Sequence, residues 1–195
     1  MKVYLIRHGQ TKGNLEKRYV GRTDESLCKQ AVEELKRYSL QRVEKIYASP
    51  MKRCIETAEI LYPNRRIQIV EDFQECDFGD FEYKNYVELK ENPAYQKFMD
   101  TMGQSGFPRG EHTNDFKDRC QKAFYGVIRQ CQSEDTVAFV IHGGTIMSIM
   151  EKFAIPHKDY YSWQIGNGEG YVAEVACEQD KKITLKNVSK LACIC

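Results

Sequence analysis

The sequence predicts an α/β fold, a three-layer α/β/α sandwich around a mainly parallel central sheet. Three observations carry that expectation. Short apolar runs of strand type alternate with stretches of helical periodicity. Two of those runs end in His-Gly, as strands do when they open onto a crevice. No repeat, low-complexity tract or Pro/Ser-rich linker divides the 195 residues, and the five prolines stand singly at 50, 63, 93, 108 and 156. One domain over residues 1–195 is expected, with a helical lid at about 81–112.

The elements follow in order. Val3-Tyr4-Leu5-Ile6 reads as a buried strand running into Arg7-His8-Gly9. A helix is expected from about Ser26 to Tyr38, with Leu27, Ala31 and Leu35 at four-residue spacing. Glu44 to Ala48 is a second strand. Ser49-Pro50 then reads as a helix start, Ser as N-cap and Pro at the first helical position, with Met51, Cys54, Ala58 and Leu61 along one face. Ile67-Gln68-Ile69-Val70 is a third strand. Asn92-Pro93 opens a helix by the same logic, carrying Tyr95, Phe98 and Met99. The longest helix is expected from about Asp115 to Cys131, where Phe116, Cys120, Ala123, Phe124, Val127 and Cys131 recur at helical period. Thr136 to Ile141 is the most strand-like run and stops at His142-Gly143-Gly144, before a helix with Met147, Met150 and Phe153. Tyr171 to Val175 and Ile183 to Val188 form a closing pair of strands joined by a polar turn near Gln179-Asp180.

Composition narrows the class. The 29 basic and 28 acidic side chains leave a formal charge of +1, which removes the electrostatic case for a nucleic-acid or anionic-membrane binder. Hydrophobic residues at 42% exclude a disordered chain. Any anion must therefore be handled by local clustering. Met1 to Arg7 holds a four-residue apolar run, too short for a signal peptide, and Val137 to Ile141 falls far short of a membrane span. A cytoplasmic protein is expected, as a monomer or homodimer. The eight cysteines are scattered and none forms C-x-x-C, so reduced, partly buried thiols are the reading and disulfides the alternative. Cys193-Ile194-Cys195 has the spacing of a soft-metal or oxidisable pair, and equally of an incidental terminus.

The chemistry gathers at strand ends. Of the four histidines, His8 and His142 each lie one step past a buried strand and precede a glycine, which lets backbone N–H groups approach an anion. Arg7 adjoins His8, and Arg53 lies in the first turns of a helix that follows another strand end. A helix N-terminus beside an Arg suits phosphate, for which guanidinium offers planar bidentate donors.

These residues resemble the signature of the histidine phosphatase superfamily, the branch of cofactor-dependent phosphoglycerate mutases and related phosphatases. The resemblance rests on Arg7-His8-Gly9-Gln10-Thr11 with Asn14 and Gly21-Arg22-Thr23-Asp24, then Ser49 to Ala58 as S-x-x-x-R-x-x-x-T-A, then Gln74 to Gly79, then His142-Gly143-Gly144. Four blocks in the family's order, covering residues 7 to about 144, make it specific. It implies a phosphoglycerate mutase-like fold and a metal-independent phosphomonoesterase without cofactor, acting on a small phosphorylated metabolite. By that resemblance His8 is the nucleophile, Arg7, Arg53 and His142 hold the phosphoryl oxygens with Asn14 assisting, and Glu75 is the acid and base. Phe73, Phe78 and Phe81 give Glu75 apolar surroundings that would raise its pKa. Some relatives take the acid from an Asp after the second histidine; Gly143 closes that route here. Asp77 and Glu111 are fallback acids, and Arg22, Gly143, Arg109 and His112 are candidate substrate contacts.

Departures bear on the substrate. Between Glu75 and His142 there is no adjacent Arg pair of the kind the mutases use for a substrate carboxylate, and Phe78 replaces their Tyr before Gly. Phe81-Glu82-Tyr83 stands where short phosphatases have W-E-G, and Gly110-Glu111-His112 where they have G-E-S. The sequence therefore looks most like a short phosphatase of broad or α-ribazole-phosphate type. The alternatives are a cofactor-dependent phosphoglycerate mutase and a non-catalytic module that binds a phospho-ligand.

Overall fold

Alternation along the central strands builds the layers. In β1 (Lys2–Arg7), Val3 and Leu5 point to one face while Tyr4 and Ile6 point to the other, and all four are buried. In β4 (Thr136–Ile141), Val137, Phe139 and Ile141 share the first face, and Ala138 and Val140 the second. Strands buried on both sides need helices on both sides. The computed structural model, which describes residues 1–177 and 182–191, supplies them. Helices α6 (Thr113–Arg129) and α7 (Gly143–Phe153) cover the first face through Phe124, Val127, Ile146 and Ile149. Helices α2 (Lys29–Leu35) and α3 (Lys52–Leu61) cover the second through Leu35, Cys54 and Ala58.

Among the described residues one sheet of six strands has the order β3-β2-β4-β1-β5-β6, where β2 is Lys45–Ala48, β3 Ile67–Ile69, β5 Gly170–Cys177 and β6 Ile183–Lys190. The first four strands are parallel, and β5 and β6 are antiparallel additions beside β1. The expected α/β sandwich with a mainly parallel sheet is thus present. Because β2, β4 and β1 are adjacent and parallel, their carboxyl ends bring Ser49, His142 and His8 to one edge. The His8 N–H donates to the Ile141 carbonyl at 3.0 Å, which ties the two histidine-bearing ends together.

Several boundaries differ from expectation. The helix after β2 starts at Lys52 with Met51 as N-cap, because the Ser49 hydroxyl is engaged at 2.7 Å by His142 and reaches the helix start only through a long 3.5 Å bond from the Met51 N–H. The helix expected from Ser26 is α2 alone; Leu27 instead bridges Thr11, and its N–H donates to Glu56. The longest helix begins two residues early, at Thr113, capped by the His112 ring. Asn92 caps α5 (Pro93–Asp100) as expected, its side chain accepting from the Ala94 and Tyr95 N–H groups. The turn near Gln179-Asp180 and the pair Cys193 and Cys195 lie outside the described residues.

The segment expected as a lid packs on itself. Phe81, Leu89, Tyr95 and Phe98, the last two on α5 and Leu89 on α4 (Tyr86–Leu89), form a cluster apart from the main core. Backbone bonds between Tyr19 and residues 83 and 84 pin it to the N-terminal loop. Gly79 and Gly110 stand where it leaves and rejoins the body; a Cβ on Gly79, at φ +50°, would collide with the Pro108 carbonyl oxygen, so only glycine fits. No helix among the described residues is long and apolar enough to cross a membrane.

Candidate active site

His8 is 4% exposed, and its Nδ1 lies 2.7 Å from the Gly9 carbonyl oxygen. A carbonyl only accepts, so Nδ1 carries the proton and Nε2 presents a free lone pair. Burial, then Arg53 and Arg7, pushes the His8 pKa well below the usual imidazole value, which keeps the ring neutral. The His142 ring sits edge-on to it, 5.2 Å away between centroids at 68°. It is fully buried, with Nε2 2.7 Å from the Ser49 hydroxyl, and burial followed by Arg53 and His8 also holds its pKa far down. Cys54 packs against that ring, its sulfur 3.6 Å from Nε2, and burial lifts its thiol pKa to about 12.

The two arginines are positioned by main-chain carbonyls. Arg53, with no exposed surface, donates to the carbonyls of Thr23 (2.8 Å), Gly21 (2.9 Å) and Val20 (3.3 Å). Arg7 donates to Ile165 O at 2.6 Å. In both guanidinium groups Nε is buried and has no partner. Buried orphan donors are rare and costly. A pair of them on the two arginines whose charges bear on His8 makes an anion site of the class phosphoryl groups occupy.

Glu75, 9% exposed, accepts from the Cys76 N–H at 2.9 Å and the Gly144 N–H at 3.2 Å. Burial raises its pKa, against the opposing pull of those two N–H groups and the two arginines. A Cβ at 144 would come within 2.5 Å of Glu75 Oε1, so any residue larger than glycine there would have to displace the Glu75 carboxyl. A carboxyl whose pKa burial raises, an imidazole whose pKa burial lowers, and two arginines are the equipment for nucleophilic displacement at phosphorus with protonation of a leaving oxygen.

The remaining candidates divide. Asn14 is half-buried, and its Oδ1 accepts from the Thr11 N–H and from Asn167 Nδ2, both at 3.1 Å, so its own amide N–H pair is left to donate. Asn167 Nδ2 also reaches the His8 carbonyl at 3.2 Å. Gly143 lines the cavity beside Arg7. Arg22, Arg109 and His112 do not line it: Arg22 is exposed, Arg109 pairs with Asp80 with its side chain 84% exposed, and His112 caps α6. Of the fallback acids, Glu111 is held by Arg119 through bonds of 3.0 and 2.8 Å, and Asp77 accepts from the Gly79 N–H.

Sequence reasoning missed four contributors. Ser49 was legible as a polar residue after a strand but reads as a cap. Thr57 links the site to α3, accepting from the Gly9 N–H at 2.9 Å while donating to Arg53 O at 2.6 Å. Asn167, and Tyr160, half-buried beside Gly144 at the start of a short 3-10 helix, lie in a stretch before β5 whose sequence carries no site signal.

The sequence matches the description Histidine phosphatase superfamily (branch 1) over residues 3–188. It is 30% identical over 161 residues to phosphoglycerate mutase-like protein 4 of Arabidopsis thaliana, covering 77% of this chain and 70% of that one. It is 29% identical over 161 residues to a Bacillus subtilis protein called uncharacterized phosphatase PhoE, covering 78% and 77%. With the adenosylcobalamin/alpha-ribazole phosphatase of Escherichia coli it shares 23% over 177 residues, covering 86% and 87%. In fold it is similar to the alpha-ribazole phosphatase of Shigella flexneri, with a TM-score of 0.80 at 22% identity over 95% of this chain and 94% of the other.

Proposed function

The chain belongs to the histidine phosphatase superfamily, branch 1, and on that premise we propose that it is a phosphomonoesterase working through a phosphohistidine on His8. Its relatives named as phosphatases support a phosphatase of small phosphorylated substrates. The observation that carries the finer reading is the Nδ1–H bond of His8 to the Gly9 carbonyl, which leaves Nε2 unprotonated beside two arginine donors and a carboxyl whose pKa burial raises.

In the first step Nε2 of His8 attacks phosphorus, and the P–O bond to the leaving group breaks. Glu75 gives its proton to the departing oxygen, so a neutral alcohol is released. In the second step Glu75, now a carboxylate, takes a proton from water. That water's oxygen attacks phosphorus, the P–N bond breaks, and inorganic phosphate leaves a neutral His8. Arg7, Arg53, His142 and the Asn14 amide donate to the phosphoryl oxygens in both steps, which is where a protein contributes most to phosphoryl transfer. These donors offset the phosphoryl charge from the protein's own side chains, so the reaction is read as metal-independent. Free thiols buried around the site, Cys54, Cys76 and Cys120, suit a reducing compartment, and we place the protein in the cytoplasm.

The test is release of p-nitrophenol from p-nitrophenyl phosphate in the presence of EDTA. Chelator-resistant release is expected, falling by at least ~10³-fold in His8→Ala, the scale of losing a nucleophile. A folded protein that turns over no phosphomonoester would refute the enzyme reading. Isomerisation of 3-phosphoglycerate, dependent on its bisphosphate and without phosphate release, would move the reading to a mutase.

A further inference from the structure

A cavity of about 400 Å³ adjoins the proposed phosphoryl site through Arg7 and Glu75, within the usual range for small-molecule pockets. Gly143 lines it beside them. Beyond them the wall is aromatic: Tyr19, Phe78, Phe98, Phe107, Phe116 and Tyr161. These rings are fixed against one another, with centroids 5.1 Å apart for Tyr19–Phe78, 4.9 Å for Phe78–Phe107 and 4.6 Å for Phe98–Phe107. They arise from separate parts of the chain: the N-terminal loop, the 78–107 stretch, α6 and the loop before β5. A wall assembled from such distant segments is preorganised to hold a flat apolar group, since rings stack and pack edge to face.

Charge on that wall is already satisfied. Among the described lining residues the outer cation is Arg18, and it is occupied. Its Nε lies 2.5 Å from Glu16, its Nη1 2.7 Å from Glu88 and 2.6 Å from the Tyr83 carbonyl, and its guanidinium lies over the Tyr83 ring. A carboxylate on the leaving group would be desolvated among phenyl rings without a free cation to meet it, which is costly. The exposed candidates for that task, Arg109 and His112, are engaged elsewhere.

We propose that the leaving group is a planar aromatic or heteroaromatic alcohol without a carboxylate, held between the rings of this wall while its phosphate sits at His8. The proposal rests on the phosphatase reading and adds the substrate class. It makes Phe107 and Tyr161 specificity residues; Tyr161, 57% exposed, stands at the mouth.

Three esters of primary alcohols with similar intrinsic reactivity separate the possibilities: benzyl phosphate, ethyl phosphate and 3-phosphoglycerate. Benzyl phosphate should exceed the other two in kcat/KM by ~10- to 100-fold, the span that burial and stacking of one ring supply. In Phe107→Leu and Tyr161→Ala the benzyl-to-ethyl ratio should fall toward unity; a conserved ratio in both would overturn the assignment. Equal or faster hydrolysis of 3-phosphoglycerate would overturn it too, and leave the phosphatase reading intact. Binding of benzylphosphonate against ethylphosphonate, measured calorimetrically on the wild-type protein, reads the same wall without turnover. A preference for the benzyl compound there supports the pocket even if no ester is hydrolysed, and equal affinities sink it.

Discussion

Ser49 decides which nitrogen of His142 can donate. The imidazole has two polar atoms, and Nε2 is 2.7 Å from the Ser49 oxygen. That oxygen also accepts a long bond of 3.5 Å from the Met51 N–H, and in the tautomer that serves phosphate its own proton goes to Nε2. Nδ1 of His142 then carries hydrogen and can donate to a phosphoryl oxygen. Replacing Ser49 by Ala removes that fixing, and kcat/KM is expected to drop ~10-fold or more, as for loss of one oxyanion donor. Inhibition by inorganic phosphate should weaken in parallel, and Ser49→Thr should restore both. Phosphate inhibition unchanged in Ser49→Ala would leave Ser49 with a purely structural role. The residue also shows the limit of reading single positions. His8, His142, Arg7 and Arg53 stand out because each is adjacent to a strand end or helix start that periodicity reveals. Ser49 has the same kind of position, yet its partner comes from 93 residues away, and a Ser-Pro dipeptide offers a local cap as the simpler explanation. Arg22, Arg109 and His112 are the reverse case, suitable side chains whose direction no local pattern encodes.

At the scale of elements, the site depends on a loop that does no chemistry. The stretch from Val20 to Thr23 gives its carbonyls to Arg53, and Glu82 holds that same stretch in place. One oxygen of Glu82 accepts from the Gly21 N–H at 3.0 Å, the Thr23 N–H at 2.9 Å and the Thr23 hydroxyl at 2.7 Å. Glu82 comes from the start of the 81–112 segment, so this one carboxylate couples that segment to Arg53, the arginine proposed to grip phosphate. Glu82→Ala is expected to destabilise the protein by ~1–3 kcal/mol through unpaired backbone donors, and to raise KM more than it lowers kcat. Glu82→Gln keeps an acceptor and should recover most of both losses. Kinetics and urea unfolding on the two variants check this; an alanine variant with KM within about twofold of wild type would break the proposed coupling. The strands and long helices were readable because burial imposes period 2 or 3.6 on many residues at once. Helix starts were less so. Asn92-Pro93 caps where its sequence says, being at a surface turn, whereas the start of α3 yields to the tertiary claim on Ser49.

For the whole molecule, a net charge of +1 conceals a concentration of Arg7, Arg53, His8 and His142 at one sheet edge. That concentration is tolerable because both imidazoles stay neutral, and neutrality has consequences for pH. The ordinary imidazole pKa is ~6.5, and both folded values lie well below it. Between the folded and unfolded values the unfolded chain binds more protons, so stability rises with pH there. The contribution of the two rings is therefore complete above about pH 6.5 and is lost progressively as pH falls toward the folded values. Glu75 acts in the opposite sense: its folded pKa is raised, so above the ordinary carboxyl value of ~4.3 the folded state binds the extra proton and gains stability as pH falls. Two groups oppose one, and unfolding free energy should decrease on going from about pH 7 to pH 5.5, each histidine contributing at most ~1.4 kcal/mol per pH unit. Replacing His8 or His142 by Gln should flatten that slope, and Glu75→Gln should steepen it. Activity obeys the same assignments. Since His8 is unprotonated below pH 6.5, kcat/KM should show no acid limb at the ordinary imidazole pKa, while its fall at higher pH should track loss of the Glu75 proton and vanish in Glu75→Gln. Urea unfolding across this range, paired with the pH–rate profile, tests both halves. An acid limb centred at about pH 6.5 would mean that His8 titrates as a free imidazole, and the charge arrangement derived for the site would then be wrong.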